Sequence, residues 1–192
     1  MRICVFCGSS PGRKSDYRAT AEDLGRRLAD RGIGVVYGGA SVGLMGAVAD
    51  GALAAGGEVI GVLPEALRDL EIAHEGLSEL KVVGSMHERK MQMADLSDAF
   101  IALPGGVGTL EEAFEILTWS QLAIHSKPIG LLNVGGFYDG LSAFLDHLVE
   151  EAFLRPVHRA IMINDDDPDR LVDRLLSAEI PTDRKWVDEL RR

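Results

Sequence analysis

Residues 104–112 read Pro-Gly-Gly-Val-Gly-Thr-Leu-Glu-Glu and bring two kinds of chemistry into one short stretch. The glycines at 105, 106 and 108 leave little side-chain cover, so backbone N–H groups can approach an anion. A helix beginning behind such a loop adds a favourable dipole for phosphate. Thr109 can cap that helix and offer its hydroxyl to a phosphate oxygen. Glu111 and Glu112 then place negative charge where an anion should avoid it. Two readings stand open. Carboxylates in a first helical turn complement the macrodipole and need no further purpose. A carboxylate can also orient water or stabilise a cation that develops during reaction. Helical spacing predicts an apolar stripe of Leu110, Ala113, Phe114 and Leu117, with Glu112 on the opposite side and Glu111 on its flank.

A second candidate lies upstream. In Ser-Met-His-Glu-Arg-Lys-Met-Gln-Met (85–93), Met86, Arg89, Lys90 and Met93 follow helical spacing. One face therefore mixes methionines with cations. Burying unpaired cations is costly, so these should meet an anion. Arginine suits bidentate recognition of phosphate or carboxylate, and lysine acts as a point charge. Long side chains snorkelling past the methionines are the plain alternative.

The glycine loop has echoes. Gly38, Gly39 and Gly43 follow the run Ile-Gly-Val-Val-Tyr, and Gly8 and Ser9 follow Arg-Ile-Cys-Val-Phe-Cys. Neither glycine-rich loop matches a P-loop, and Glu111 occupies the place of the third glycine in a dinucleotide fingerprint. Tight strand-to-helix turns would use the same residues. Together with Gly105, these three strand ends predict one shared cleft for a phosphate or nucleotide. His74, His87, His125, His147 and His158 show no metal-ligand spacing, so no metal is expected. Cys4 and Cys7 should point to opposite faces of a strand, which disfavours a shared disulfide.

The elements that must position these residues alternate in type. Strands are predicted at 2–6, 33–37, 58–63, 80–84, 99–103, 128–133 and 160–164. Helices are predicted at 16–31, 43–55, 86–97, 109–124, 138–152 and 168–178, with an irregular stretch over 64–79. Short, nearly all-apolar strands between amphipathic helices indicate a parallel sheet covered on both faces: a doubly wound, Rossmann-like α/β fold of three layers. Residues 1–180 are expected to form one domain, and 181–192 a polar tail.

The chain has 192 residues, 46% apolar and 26% charged, with 30 acidic against 20 basic side chains. A formal charge of −10 disfavours nucleic acid or an anionic membrane as the main partner. No apolar run is long enough to span a bilayer, and no basic start leads into an apolar segment, so a cytoplasmic location is expected.

Met-His-Glu-Arg-Lys-Met-Gln-Met (86–93) and Pro-Gly-Gly-Val-Gly-Thr-Leu-Glu-Glu (104–112) together resemble the signature of the Lonely Guy family. These are cytokinin riboside 5′-monophosphate phosphoribohydrolases, often labelled lysine decarboxylase-like. The pattern P-G-G-x-G-T-x-x-E is matched at every fixed position, and the resemblance extends over roughly residues 2–165. It implies hydrolysis of the N-glycosidic bond of an adenosine-type 5′-monophosphate, without a cofactor, by a homodimer with sites near the subunit interface. It also implies that Arg89 and Glu112 are the catalytic pair. Glu71, Arg89, Lys90, Thr118 and the run Gly106, Val107, Gly108, Thr109, Leu110, Glu111 and Glu112 would contact the nucleotide. A nucleotide-binding or carrier module without turnover is the runner-up, and an amino-acid decarboxylase a third reading.

Overall fold

In the computed structural model, residues 1–68 and 73–180 are described. Strands form where β-branched and apolar residues run together: β1 (Arg2–Phe6), β2 (Gly34–Tyr37), β3 (Val59–Pro64), β4 (Glu79–Val83), β5 (Ala99–Ala102), β6 (Ile129–Leu132) and β7 (Met162–Asp165). All residues of β2, β3, β5 and β6 are buried, the signature of a sheet covered on both faces. The helices are α1 (Ser15–Asp30), α2 (Gly43–Ala54), α3 (Glu65–Arg68), α4 (Met86–Asp95), α5 (Val107–Gln121), α6 (Asp139–Glu150), α7 (Pro156–Arg159) and α8 (Pro168–Leu176). No described helix is long and apolar enough to cross a membrane. The expected tail at 181–192 and the expected contact Glu71 lie outside the described residues.

The seven strands pair in parallel in the order β4-β3-β2-β1-β5-β6-β7. The chain builds outward from β1 to β4, then crosses back to place β5 on the other side of β1. That reversal creates a crevice at the carboxyl ends of β1 and β5, where open α/β sheets bind ligands. One apolar cluster joins the sheet to α1, α2 and α8, and a second joins it to α4, α5 and α6. Cys7 belongs to the first cluster and Cys4 to the second, so the two free thiols do face opposite sides. Burial pushes both thiols well up, leaving them neutral.

Helix starts explain how the site elements are aimed. The Ser85 hydroxyl accepts from the Glu88 N–H at 3.1 Å, and the Glu88 carboxylate accepts from the Gly84 N–H at 2.8 Å. This reciprocal arrangement fixes the first turn of α4. At the far edge, Asp167 caps α8 while Asp165 receives Arg170 and Arg174. Burial opposes charge on Asp165, but these partners outweigh it and hold its carboxyl near a pKa of about 2.

Candidate active site

The α5 helix begins earlier than its glycines suggest. Gly106 takes the N-cap position, and Val107 and Gly108 lie in the first turn. Thr109 is therefore inside the helix rather than its cap, and it is 4% exposed. The predicted stripe is also rotated. Ala113 and Leu117 are buried as expected, but Thr109, Ile116, Ser120 and Gln121 share that face. Leu110 and Phe114 are only partly buried. The cause is close packing at the loop: a methyl group on Gly105 would overlap the Thr109 hydroxyl and come within 2.9 Å of the Gly8 nitrogen. Thr109 must turn inward because the Gly105 backbone leaves it just enough space.

The three expected loops do meet. The Gly8 N–H donates to the Pro104 carbonyl at 3.1 Å, and the Leu44 N–H donates to the Gly8 carbonyl at 2.9 Å. Gly43 has a φ of +60° and lies against the Ser9 backbone, where any side chain would collide. The result is a cleft of about 440 Å³ at the carboxyl edge of the sheet. Its lining brings together Gly8, Ser9 and Gly106 to Thr109 from the loops and the start of α5, Met45 of α2, Met86 and Arg89 of α4, and Glu111 and Glu112 of α5. A larger cavity of about 560 Å³ opens at the amino edge, beside Arg2, Gly32 and Glu58. It lies at the wrong end of the strands for a switch-point ligand, so the smaller cleft is the candidate.

Arg89 is 5% exposed, and backbone atoms hold it. Its Nε donates to the Val62 carbonyl at 3.1 Å, and Nη2 donates to the Gly38 carbonyl at 3.3 Å. Gly38 thus acts as the seat of the guanidinium: a methyl group there would overlap Nη2. Carbonyl dipoles orient the side chain without cancelling its charge, so the cation stays available to an anionic ligand.

Lys90 finds its anion elsewhere. Its ammonium lies 2.6 Å from Glu111 Oε1 and 2.9 Å from Glu115 Oε2. Burial works against the charge, but the two carboxylates outweigh it and raise the Lys90 pKa. The pair clamps α4 to the first turns of α5. Lys90 does not line the cleft, and Glu111 lines it while paired with Lys90. Glu112 is half-buried and close enough to raise the Cys7 thiol further, after burial itself. Leu110 borders the loop without lining the cleft. Thr118 does not line it: exposed about three turns along α5, its hydroxyl donates to the Phe114 carbonyl at 2.8 Å. Met86, placed by spacing on a buried face, is 42% exposed because it forms the cleft rim.

Gly39 does not line the cleft either; its carbonyl accepts from the His74 N–H at 3.0 Å, which fastens residues 73–76 across the strand ends. Leu67 of α3 also lines the cleft, a residue missed because that short helix falls in a stretch read as irregular.

Residues 45–175 match the model of a family described as "Possible lysine decarboxylase". The chain is 56% identical over 162 residues to the probable cytokinin riboside 5′-monophosphate phosphoribohydrolase LOGL5 of Oryza sativa subsp. japonica, covering 84% of this chain and 66% of that protein. It is 52% identical over 174 residues to cytokinin riboside 5′-monophosphate phosphoribohydrolase LOG3 of Arabidopsis thaliana, covering 91% and 81% respectively. The chain belongs to the Lonely Guy family. Among solved structures, the molybdenum cofactor binding protein from Rippkaea orientalis aligns with a TM-score of 0.68 and 25% identity, over 92% of this chain and 95% of that one. The Lonely Guy signature thus spans the cleft: its arginine comes from α4, its glycines from the loop and first turn that open α5, and its second glutamate from α5.

Proposed function

We propose that this chain hydrolyses the N-glycosidic bond of cytokinin riboside 5′-monophosphates and AMP, releasing free base and ribose 5-phosphate. One observation carries the reading. Arg89, Glu112 and the N–H groups at the start of α5 converge on a single cleft. The 5′-phosphate meets the free N–H groups of Gly106 to Thr109, where the helix dipole favours negative charge. Glycosidic cleavage leaves positive charge on the sugar, which a carboxylate stabilises. Glu112 takes that role and accepts a proton from the attacking water. Arg89 holds the nucleotide and assists the departing base. Binding energy from the remote phosphate positions the reacting bond, so a nucleoside without it reacts poorly.

The test is release of base from AMP and from isopentenyladenosine 5′-monophosphate. Glu112→Gln should keep nucleotide binding and lose turnover by ~100-fold or more. Wild-type rates in that variant would remove Glu112 from the mechanism.

The likeness to a molybdenum cofactor binding protein favours one second reading, a carrier that holds a phosphorylated ligand without turnover. Tight AMP binding with no base release would select it. A pyridoxal-phosphate decarboxylase fits poorly. Such an enzyme needs a lysine amine for its Schiff base. Among the described residues lining the cleft none is lysine, and nearby Lys90 is engaged by two carboxylates.

A homodimer in the cytoplasm belongs to the same reading. Exposed Leu122, Ile124, Phe144 and Phe153 support a second copy as partner.

A further inference from the structure

Beyond the Gly8–Gly105 contact lies a second chamber that the hydrolytic reading leaves unused. Its volume is about 240 Å³, and it shares Gly8, Ser9 and Gly106 with the cleft. Its other walls differ in chemistry. Tyr17 and Phe137 meet edge to face with ring centroids 5.7 Å apart. Phe137 is 40% exposed, although it lies beside a buried aromatic neighbour, Tyr138. Gly135 and Gly136, at φ +58° and +76°, make the turn that brings Phe137 over the chamber. Lys14 Nζ lies 5.9 Å from the centre of the Tyr17 ring, so a cation stands beside one wall of the chamber in a chain of net charge −10.

Three features decide what the chamber can hold. First, the divide between the two spaces is bare backbone. Gly8 and Gly105 touch across it, and a side chain at Gly106 would meet nothing within 4 Å. A phosphate on the α5 N–H groups would therefore stand between the chambers with no side-chain wall beside it. Second, the volume falls below that of sites for drug-sized ligands, so it suits one ring rather than a second nucleotide. Third, a lining that pairs Tyr17 and Phe137 with Ser9 and Ser10 suits the C–H and O–H surfaces of a sugar, while Lys14 beside Tyr17 matches a phosphate.

We propose that cleft and chamber together form one site for a nucleoside diphosphate bearing a single sugar ring on its far phosphate. The assignment rests on the reading above in one respect, the position of the 5′-phosphate at the start of α5.

Isothermal titration of AMP, ADP and ADP-ribose into the wild type, Phe137→Ala and Lys14→Ala tests it. ADP-ribose should bind about tenfold more tightly than ADP, and each variant should lose about tenfold for ADP-ribose while its affinity for AMP stays within about twofold. The proposal is overturned if ADP-ribose binds no better than ADP, or if either variant weakens AMP and ADP-ribose equally. Base release from AMP, followed in parallel, separates the two readings. The expected binding pattern without base release would sink the hydrolase and leave the two-chambered site. Base release without preference for ADP-ribose would do the reverse.

Discussion

Gly38→Ala acts directly on the seat of Arg89. The added methyl would overlap Arg89 Nη2 and come within 3.1 Å of Met45 Sδ. Both are far ends of flexible side chains, so the protein can accept alanine by letting the guanidinium swing away. Doing so ends the 3.3 Å bond from Nη2 to the Gly38 carbonyl and strains the 3.1 Å bond from Nε to Val62. A hydrogen bond from a charged donor contributes about 1.5–3 kcal/mol. If the transition state loses that alignment, kcat/KM for AMP falls by roughly 10- to 100-fold, at 1.4 kcal/mol per tenfold. The same lost bond should lower the unfolding free energy by about 1–3 kcal/mol, which leaves the protein folded under assay conditions. The assay pairs initial rates of base release with a urea melt. Gly32→Ala serves as the control, because Gly32 has φ +67°, nothing within 4 Å of the new methyl and a place at the opposite edge of the sheet. It should cost about 1 kcal/mol of stability through backbone strain and leave kcat/KM unchanged. Wild-type kcat/KM in Gly38→Ala, or a loss no larger than its unfolded fraction explains, would refute the argument.

Two other sites give separate tests. Lys90→Met keeps the stem but removes the ammonium between Glu111 and Glu115, and should destabilise the fold by about 1–3 kcal/mol in urea melts. Glu115→Gln should recover part of that loss in the same background, and simple additivity would show that the clamp carries no coupling. Asp165, with a pKa near 2 against an ordinary 3.8, is protonated more readily in the unfolded chain. Its contribution of about 2 kcal/mol is therefore complete above about pH 5 and lost as pH falls through 4 towards 2. Asp165→Asn should lower stability at pH 7 by about that amount and flatten the acid limb of a pH-dependent melt.

The strands were legible because each is an apolar run closed by glycine, proline or a polar turn, and their observed ends differ by at most two residues. The start of α5 was not, since glycines at 106 and 108 argue against helix while the loop contact with Gly8 imposes it. The same contact turned Thr109 inward, where periodicity assigned Leu110. Spacing identified Arg89 and Lys90 as cations on an inward face that must meet anions. It did not reveal what they meet. Lys90 pairs with side chains 21 and 25 positions away, and Arg89 rests on carbonyls of β3 and of the loop after β2, neither of which leaves a mark in composition. The short helix α7, opened by Pro156, was missed for its brevity.

The strand order has a consequence for how activity arises. Everything from β1 to β4 lies on one side of the seam between β1 and β5, and Arg89 with both of its carbonyl supports belongs to that N-terminal half. Glu112 and the glycine N–H groups belong to the other half. Neither portion of the chain owns all the groups proposed above to act on the nucleotide. As synthesis proceeds, catalytic competence waits for β5 to dock against β1, so base release is also a readout of that joining step.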